Sequence, residues 1–138
     1  MHILMCNDDG ILADGLRHLA SYLSQYYRIT VVAPANEQSA KSHALTTEVP
    51  LKLDACNGED ENPRLYALTG TPSDCMKFGL SYLLTDDMPD LVISGINHGF
   101  NLGSDVLYSG TVSAAMESGF YGIPGLALSD RKSTRLNS

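Results

Sequence analysis

The sequence predicts an α/β fold: an open, Rossmann-like, mostly parallel sheet with helices on both faces. Three observations carry this. Short apolar runs recur at residues 2–6, 28–33, 90–94 and 125–129 without the alternation of a half-solvated sheet, as strands buried on both faces do. Stretches of helical period or helix-compatible composition lie between them. The first 33 residues already read strand, helix, strand, a unit whose crossover is right-handed and whose strands pair in parallel.

Each element has its own local reason. His2-Ile3-Leu4-Met5-Cys6 is an apolar run stopped by the polar Asn7-Asp8-Asp9-Gly10. Leu16, Leu19, Ala20 and Leu23 follow at i, i+3, i+4 and i+7, an amphipathic helix of about three turns with Asp14 near its start. Arg28 to Ala33 is β-branched, and Pro34 closes it. Residues 35–44 read as a polar loop. The turn-forming run Asn57-Gly58-Glu59-Asp60-Glu61-Asn62-Pro63 predicts a hairpin, with Arg64 to Leu68 as its second strand. Thr71-Pro72-Ser73-Asp74 is a helix start, with threonine at the N-cap, proline at N1 and an acid at N3, and the helix is expected to reach about Leu84. A strand over Asp90–Ser94, a glycine-rich loop from Gly95 to Gly110, a helix over Thr111–Phe120 and a strand from Gly125 complete the pattern.

Composition bounds the function. The 138 residues are 43% hydrophobic and 18% charged, which fits one globular domain and excludes disorder. Nine basic residues against sixteen acidic ones give a net charge of −7, which disfavours nucleic acid or an anionic membrane as a partner. Cys6, Cys56 and Cys75 form no CxxC pair, and no apolar run approaches the roughly 18 residues of a membrane span. A cytoplasmic location is expected. The last nine residues, Asp130-Arg131-Lys132-Ser133-Thr134-Arg135-Leu136-Asn137-Ser138, differ in composition from everything before them. They also back-translate, codon by codon, to the start of a common short-read sequencing adapter. The expectation is therefore an N-terminal part of a domain over residues 1–129, a non-native tail over 130–138, and a natural gene that continues beyond Ser129. Without that tail the balance is six basic against fifteen acidic, or −9.

In such sheets ligands bind at the carboxyl ends of the strands, where the strand order reverses. Three polar segments follow strands directly: Asn7 to Gly10, Ala35 to Ser42, and Gly95 to Gly110. Asp8 and Asp9 are the sharpest signal, because adjacent carboxylates at a buried strand end repel unless a cation or hydrogen-bond donors offset them. A hard divalent ion, Mg²⁺ or Mn²⁺, takes oxygen ligands of this kind. The competing reading is an aspartate that caps the turn beside another that faces water. Asn97 offers a carbonyl oxygen suited to the same ion, and His98 is either an acid–base group or a hydrogen-bonded loop histidine. Tyr108-Ser109-Gly110-Thr111 opens a helix, which makes either a phosphate cradle or a simple cap. Ser39 and His43 lack the Gly-x-Ser-x-Gly elbow of a serine nucleophile. His18 reads as a boundary residue, Tyr22, Tyr26 and Tyr27 as helix-end packing, and Cys6 as a small buried hydrophobe.

Together these motifs carry a resemblance. Asn7-Asp8-Asp9-Gly10, Val32-Ala33-Pro34 leading to Ser39, Gly70-Thr71-Pro72-Ser73-Asp74-Cys75, Ser94-Gly95-Ile96-Asn97-His98-Gly99, Asn101-Leu102-Gly103 and Tyr108-Ser109-Gly110-Thr111-Val112 resemble the SurE family, in the right order across Met1 to Ser129. The resemblance implies a metal-dependent nucleotidase of Rossmann-like fold that hydrolyses nucleoside 5′- and 3′-monophosphates, with some activity on short polyphosphate. It implies one divalent ion held by Asp8, Asp9, Ser39 and Asn97, with Asp8 and Asp9 also catalytic, and phosphate contacts from Ser109, Gly110 and Thr111. Asn7, Lys41, His98 and Asn101 are further candidate substrate contacts. Lys41 falls in Ala40-Lys41-Ser42-His43, where the family usually has small residues. The family's chains continue past this point, and a homodimer or homotetramer is expected for the full-length protein. The alternatives are a phosphoacceptor receiver domain and an inactive nucleotide-binding protein. A receiver needs an aspartate and a lysine at later strand ends, whereas the strand at 91–94 runs into Gly95-Ile96-Asn97 and no lysine lies between Lys77 and Lys132.

Overall fold

The computed structural model describes residues 1–36, 50–97 and 110–129, with only the main chain of Asn97. The continuous apolar runs become the inner strands. β1 (His2–Cys6), β2 (Arg28–Pro34), β4 (Arg64–Leu68), β5 (Leu91–Asn97) and β6 (Gly125–Ser129) lie parallel, and β3 (Leu53–Ala55) adds an antiparallel edge. The strand order is β3-β4-β2-β1-β5-β6. Register pairs Ile3 with Ile29 and Leu91, and Cys6 with Ser94. β1 is thus the central strand, buried along its whole length.

Alternation along β1 sends side chains to two cores. Ile3 and Met5 join Ile29, Val31 and Ile93 beneath Leu16 and Ala20 of α1 (Asp14–Leu23). Leu4 and Cys6 join Val32, Leu68 and Val92 beneath α2 (Pro72–Phe78) and α3 (Gly110–Gly119), through Cys75, Met76 and Ala114. Helices therefore cover both faces, as the sequence pattern requires. At about 25 cal/mol per Å² of apolar surface removed from water, these two cores dominate the folding free energy.

Local chemistry sets the element ends. Thr71 and Asp74 form a reciprocal capping box at the start of α2: Asp74 N–H donates to Thr71 Oγ1 (3.2 Å) and Thr71 N–H to Asp74 Oδ2 (2.9 Å). The hairpin joining β3 and β4 is held by Asn57, whose Oδ1 accepts from Leu65 N–H (2.9 Å) and whose Nδ2 donates to the Pro63 carbonyl (2.8 Å). Asn62 clips that turn to the α1–β2 connection by accepting from Ile29 N–H (2.9 Å) and donating to the Tyr27 carbonyl (3.0 Å).

Three boundaries differ from the sequence expectation. The helix expected to run from Thr71 to Leu84 stays α-helical only to Phe78; a π-helical turn over Gly79–Leu83 follows, closed by Leu84 N–H to the Gly79 carbonyl (2.9 Å). β5 does not stop at Ser94. It continues through Gly95 at φ 135° to Asn97, with a register slip against β6 between Ser94 and Asn97. A glycine after an apolar run reads as a stop, but main-chain pairing to β6 carries the strand past it. α3 begins one residue before the expected Thr111. The loop reading of residues 37–44 and the tail reading of 130–138 fall on residues outside those described.

Candidate functional site

Strand order alone locates the candidate site. After β1 the chain crosses through α1 to β2 on one side and later returns to β5 on the other, so the order reverses between β1 and β5. The crevice outside their carboxyl ends is where ligands bind in open α/β sheets. Asn7-Asp8-Asp9-Gly10 leaves β1 there, and Asn97 ends β5 there.

Asn7 is fully buried, and its amide grips the main chain of Gly10 twice. Oδ1 accepts from Gly10 N–H (3.1 Å) and Nδ2 donates to the Gly10 carbonyl (2.8 Å). The next residue is tied to β2 by Ile11 N–H to the Pro34 carbonyl (2.8 Å). Between these anchors, Asp8 is 5% exposed and Asp9 is half-buried.

The first turn of α3 packs directly on Asp8. A methyl group built on Gly110 would lie 2.6 Å from Asp8 Oδ1 and 2.9 Å from Pro72 Cγ, so the starts of α2 and α3 converge on this carboxylate. A carboxylate beside the positive end of a ten-residue helix is electrostatically favoured. Thr111, the next residue of α3, is fully buried. Among the described residues no group of three or more His, Cys, Asp or Glu side chains is gathered as a metal cage. The two carboxylates supply hard oxygen donors of the type that Mg²⁺ and Mn²⁺ take, and so fit part of such a shell. Of the other expected site residues, Asn97 is placed by its main chain alone, while Ser39, Lys41, His98, Asn101 and Ser109 lie outside the described residues.

Beneath the loop sit two fully buried thiols. Burial, with the hydrogen bond between the Cys75 thiol and Cys6 second, pushes the Cys75 thiol well above its usual value, so it stays protonated at neutral pH and is no thiolate nucleophile. Sequence reasoning missed Pro72 as a wall of the site; its only sequence signal was helix initiation. A cleft of about 550 Å³ lies at the opposite, amino end of the sheet, lined by His2, Tyr27, Arg28, Asp87 and Asp90 among others. Its charges answer one another: Arg28 pairs with Asp87, and Asp90 Oδ2 accepts from His2 N–H (2.8 Å). The adjacent carboxylates of Asp8 and Asp9 lie at the carboxyl end instead.

The fold and this loop define a Rossmann-like α/β protein with an acidic site at its topological switch point. The family model described as "Survival protein SurE" matches residues 3–137. The chain belongs to the SurE family. It is 54% identical over 129 residues to the 5'-nucleotidase SurE of Thermoanaerobacter sp. (strain X514), covering 94% of this chain and 50% of that protein. It is 50% identical over 129 residues to the 5'-nucleotidase SurE of Vibrio vulnificus (strain YJ016), covering 94% and 49%. The crystal structure of the SurE protein from Aquifex aeolicus superposes with a TM-score of 0.79 at 43% identity, over 94% of this chain and 50% of that one. The chain thus spans about half the length of the curated relatives it matches. Family membership sets the receiver-domain alternative aside.

Proposed function

We propose that this chain carries the acidic centre of a divalent-metal-dependent phosphomonoesterase that releases phosphate from nucleoside 5′- and 3′-monophosphates, with short polyphosphate as a further substrate. The observation that carries this reading is the Asp8 carboxylate, buried at the sheet's switch point and packed against the start of α3. The similarity to proteins named 5'-nucleotidase supports the substrate class.

Asp8, Asp9, Ser39 and Asn97 would hold one Mg²⁺ or Mn²⁺. When bound, such an ion polarises the phosphoryl group and offsets the repulsion between an acidic protein and an anionic substrate. One of the two aspartates would accept the proton of the water that displaces the nucleoside oxygen from phosphorus, or Asp8 itself would displace that oxygen, with water then hydrolysing the aspartyl phosphate to free phosphate. Ser109, Gly110 and Thr111 would supply main-chain N–H groups and hydroxyls to the phosphoryl oxygens as these gain charge, Gly110 and Thr111 standing in the first turn of α3. Lys41, His98 and Asn101 complete the candidate substrate contacts. The longer protein is proposed to act in the cytoplasm as a homodimer or homotetramer, without nucleic acid or membrane as partner. No described helix is long and apolar enough to cross a membrane.

The test is phosphate release from 5′-AMP and 3′-AMP with Mg²⁺, with Mn²⁺ and with a chelator. Asp8→Asn and Asp9→Asn are each expected to abolish the metal-dependent rate while far-UV dichroism stays unchanged. Turnover close to that of the unaltered chain in either variant, with metal still required, overturns the assignment.

A further inference from the structure

The candidate acidic pair sits inside a ring closed by one side chain. Asn7 is fully buried, and both polar atoms of its amide are used by the main chain of Gly10. Gly10 adopts φ 110°, a conformation L side chains avoid, so the loop between the two residues folds back on itself. Its flanks are held elsewhere: β1 is paired on both sides, and Ile11 N–H bonds the Pro34 carbonyl at the end of β2 (2.8 Å). The Asn7 amide is thus the clasp of the span that contains Asp8 and Asp9.

We propose that Asn7 is a positioning residue for the metal site, its amide fixing the turn that presents Asp8 and Asp9 together. The inference rests on the metal reading above and revises the expectation that Asn7 contacts substrate. With Oδ1 and Nδ2 each engaged by Gly10, the amide keeps one lone pair and one N–H, but it presents no exposed surface to a ligand. Loss of the amide leaves the buried N–H of Gly10 without its acceptor and its carbonyl with Ala13 N–H (3.1 Å) as remaining donor, and the loop relaxes between anchors that hold on each side. The effect then falls on the mutual placement of two carboxylates rather than on the sheet.

Mn²⁺ binding to the unaltered chain, read by the electron paramagnetic resonance of unbound Mn²⁺, tests this alongside Asn7→Ala, Asn7→Ser and Asp8→Asn, with thermal unfolding followed by circular dichroism. Residues that orient metal ligands typically change affinity by about 10- to 100-fold when replaced. Asn7→Ala is expected to weaken Mn²⁺ binding by about 10-fold or more. Asn7→Ser is expected to fall in between, because a hydroxyl still accepts from Gly10 N–H in a serine turn. Unchanged Mn²⁺ affinity in Asn7→Ala, with only a lowered unfolding temperature, makes Asn7 merely structural and overturns the proposal. If Asn7→Ala fails to fold, Asn7→Ser decides on the same criterion. Mn²⁺ binding that Asp8→Asn leaves intact, or that the unaltered chain lacks, overturns the metal reading and this inference with it. Binding lost in Asp8→Asn but untouched in both Asn7 variants overturns this inference alone.

Discussion

Gly110 stands against the carboxylate of Asp8, with 2.6 Å between the position of a Cβ and Asp8 Oδ1 and 3.0 Å to Asp8 Cγ. The residues are far apart in sequence, yet α3 can begin where it does only because residue 110 has no side chain. The neighbour on the other side is Pro72 Cγ at 2.9 Å, a ring atom held at the first turn of α2. The Asp8 oxygen ends a short side chain that is itself buried, and the Pro72 atom belongs to a ring. The close approach brings the helix N-terminus to the carboxylate, a stabilising pairing at the end of a helix.

Gly110→Ala is therefore expected to harm the site although alanine is the better helix former. The propensity gain is at most about 1 kcal/mol. Overpacking against fixed atoms typically costs about 1–3 kcal/mol. A lower urea midpoint and weaker Mn²⁺ binding are the expected outcomes, measured by urea titration and by unbound Mn²⁺. A midpoint above that of the unaltered chain, with Mn²⁺ binding retained, contradicts the geometry.

Thr71→Ala removes the acceptor of Asp74 N–H and opens the capping box of α2. Loss of such a cap costs about 1 kcal/mol, within a range of about 0.5–2. The urea midpoint should fall accordingly with the slope unchanged, since the surface exposed on unfolding stays the same. Thr71→Ser, which keeps the hydroxyl, should recover most of the loss. Equal losses in both variants would show that the methyl group, not the cap, matters.

The legible parts of this fold were those encoded within a few residues. β1, β2 and α1 follow from runs and periods confined to the first 34 residues, and Thr71-Pro72-Asp74 announces its own capping box. Gly95 breaks local β preference and so predicts an end to β5 at Ser94, whereas pairing to β6, a distant segment, carries it on to Asn97. The switch to π-helical bonding at Gly79 follows from no pattern in the residues before it. The same division runs through the site. Asp8 and Asp9 stand out because two adjacent charges at a strand end are locally anomalous. The role of Asn7 depends on where its amide points, and the fit of Gly110 on Asp8 on a contact between segments 102 positions apart. A one-dimensional reading finds the charges but not the clasp or the clearance.

At the opposite end of the sheet, His2 makes stability pH-dependent. Its ring is 3% exposed, with Nδ1 against the Asp87 carbonyl (3.1 Å) and Nε2 against Thr30 Oγ1 (2.7 Å). The carbonyl only accepts, so Nδ1 carries the hydrogen and Nε2 accepts from the threonine hydroxyl. Burial, and then the charge of Arg28, hold this imidazole below its usual value, against the smaller upward pull of Asp87 and Asp90. Above about pH 6.5 the ring is neutral in both folded and unfolded chains, and its full contribution is present. As the pH falls below that value, the unfolded chain takes up the proton first, and stability declines until the folded ring also titrates. Asp87, held low by its hydrogen bond from Arg28, enters only in more acidic solution, below the ordinary carboxylate value. The unfolding temperature should therefore drop between pH 7 and pH 5, and His2→Gln should flatten that drop even if it lowers the temperature throughout. Parallel curves for the two proteins across this range would place the acid sensitivity on another group and leave His2 a purely structural link between β1, β2 and the segment before β5.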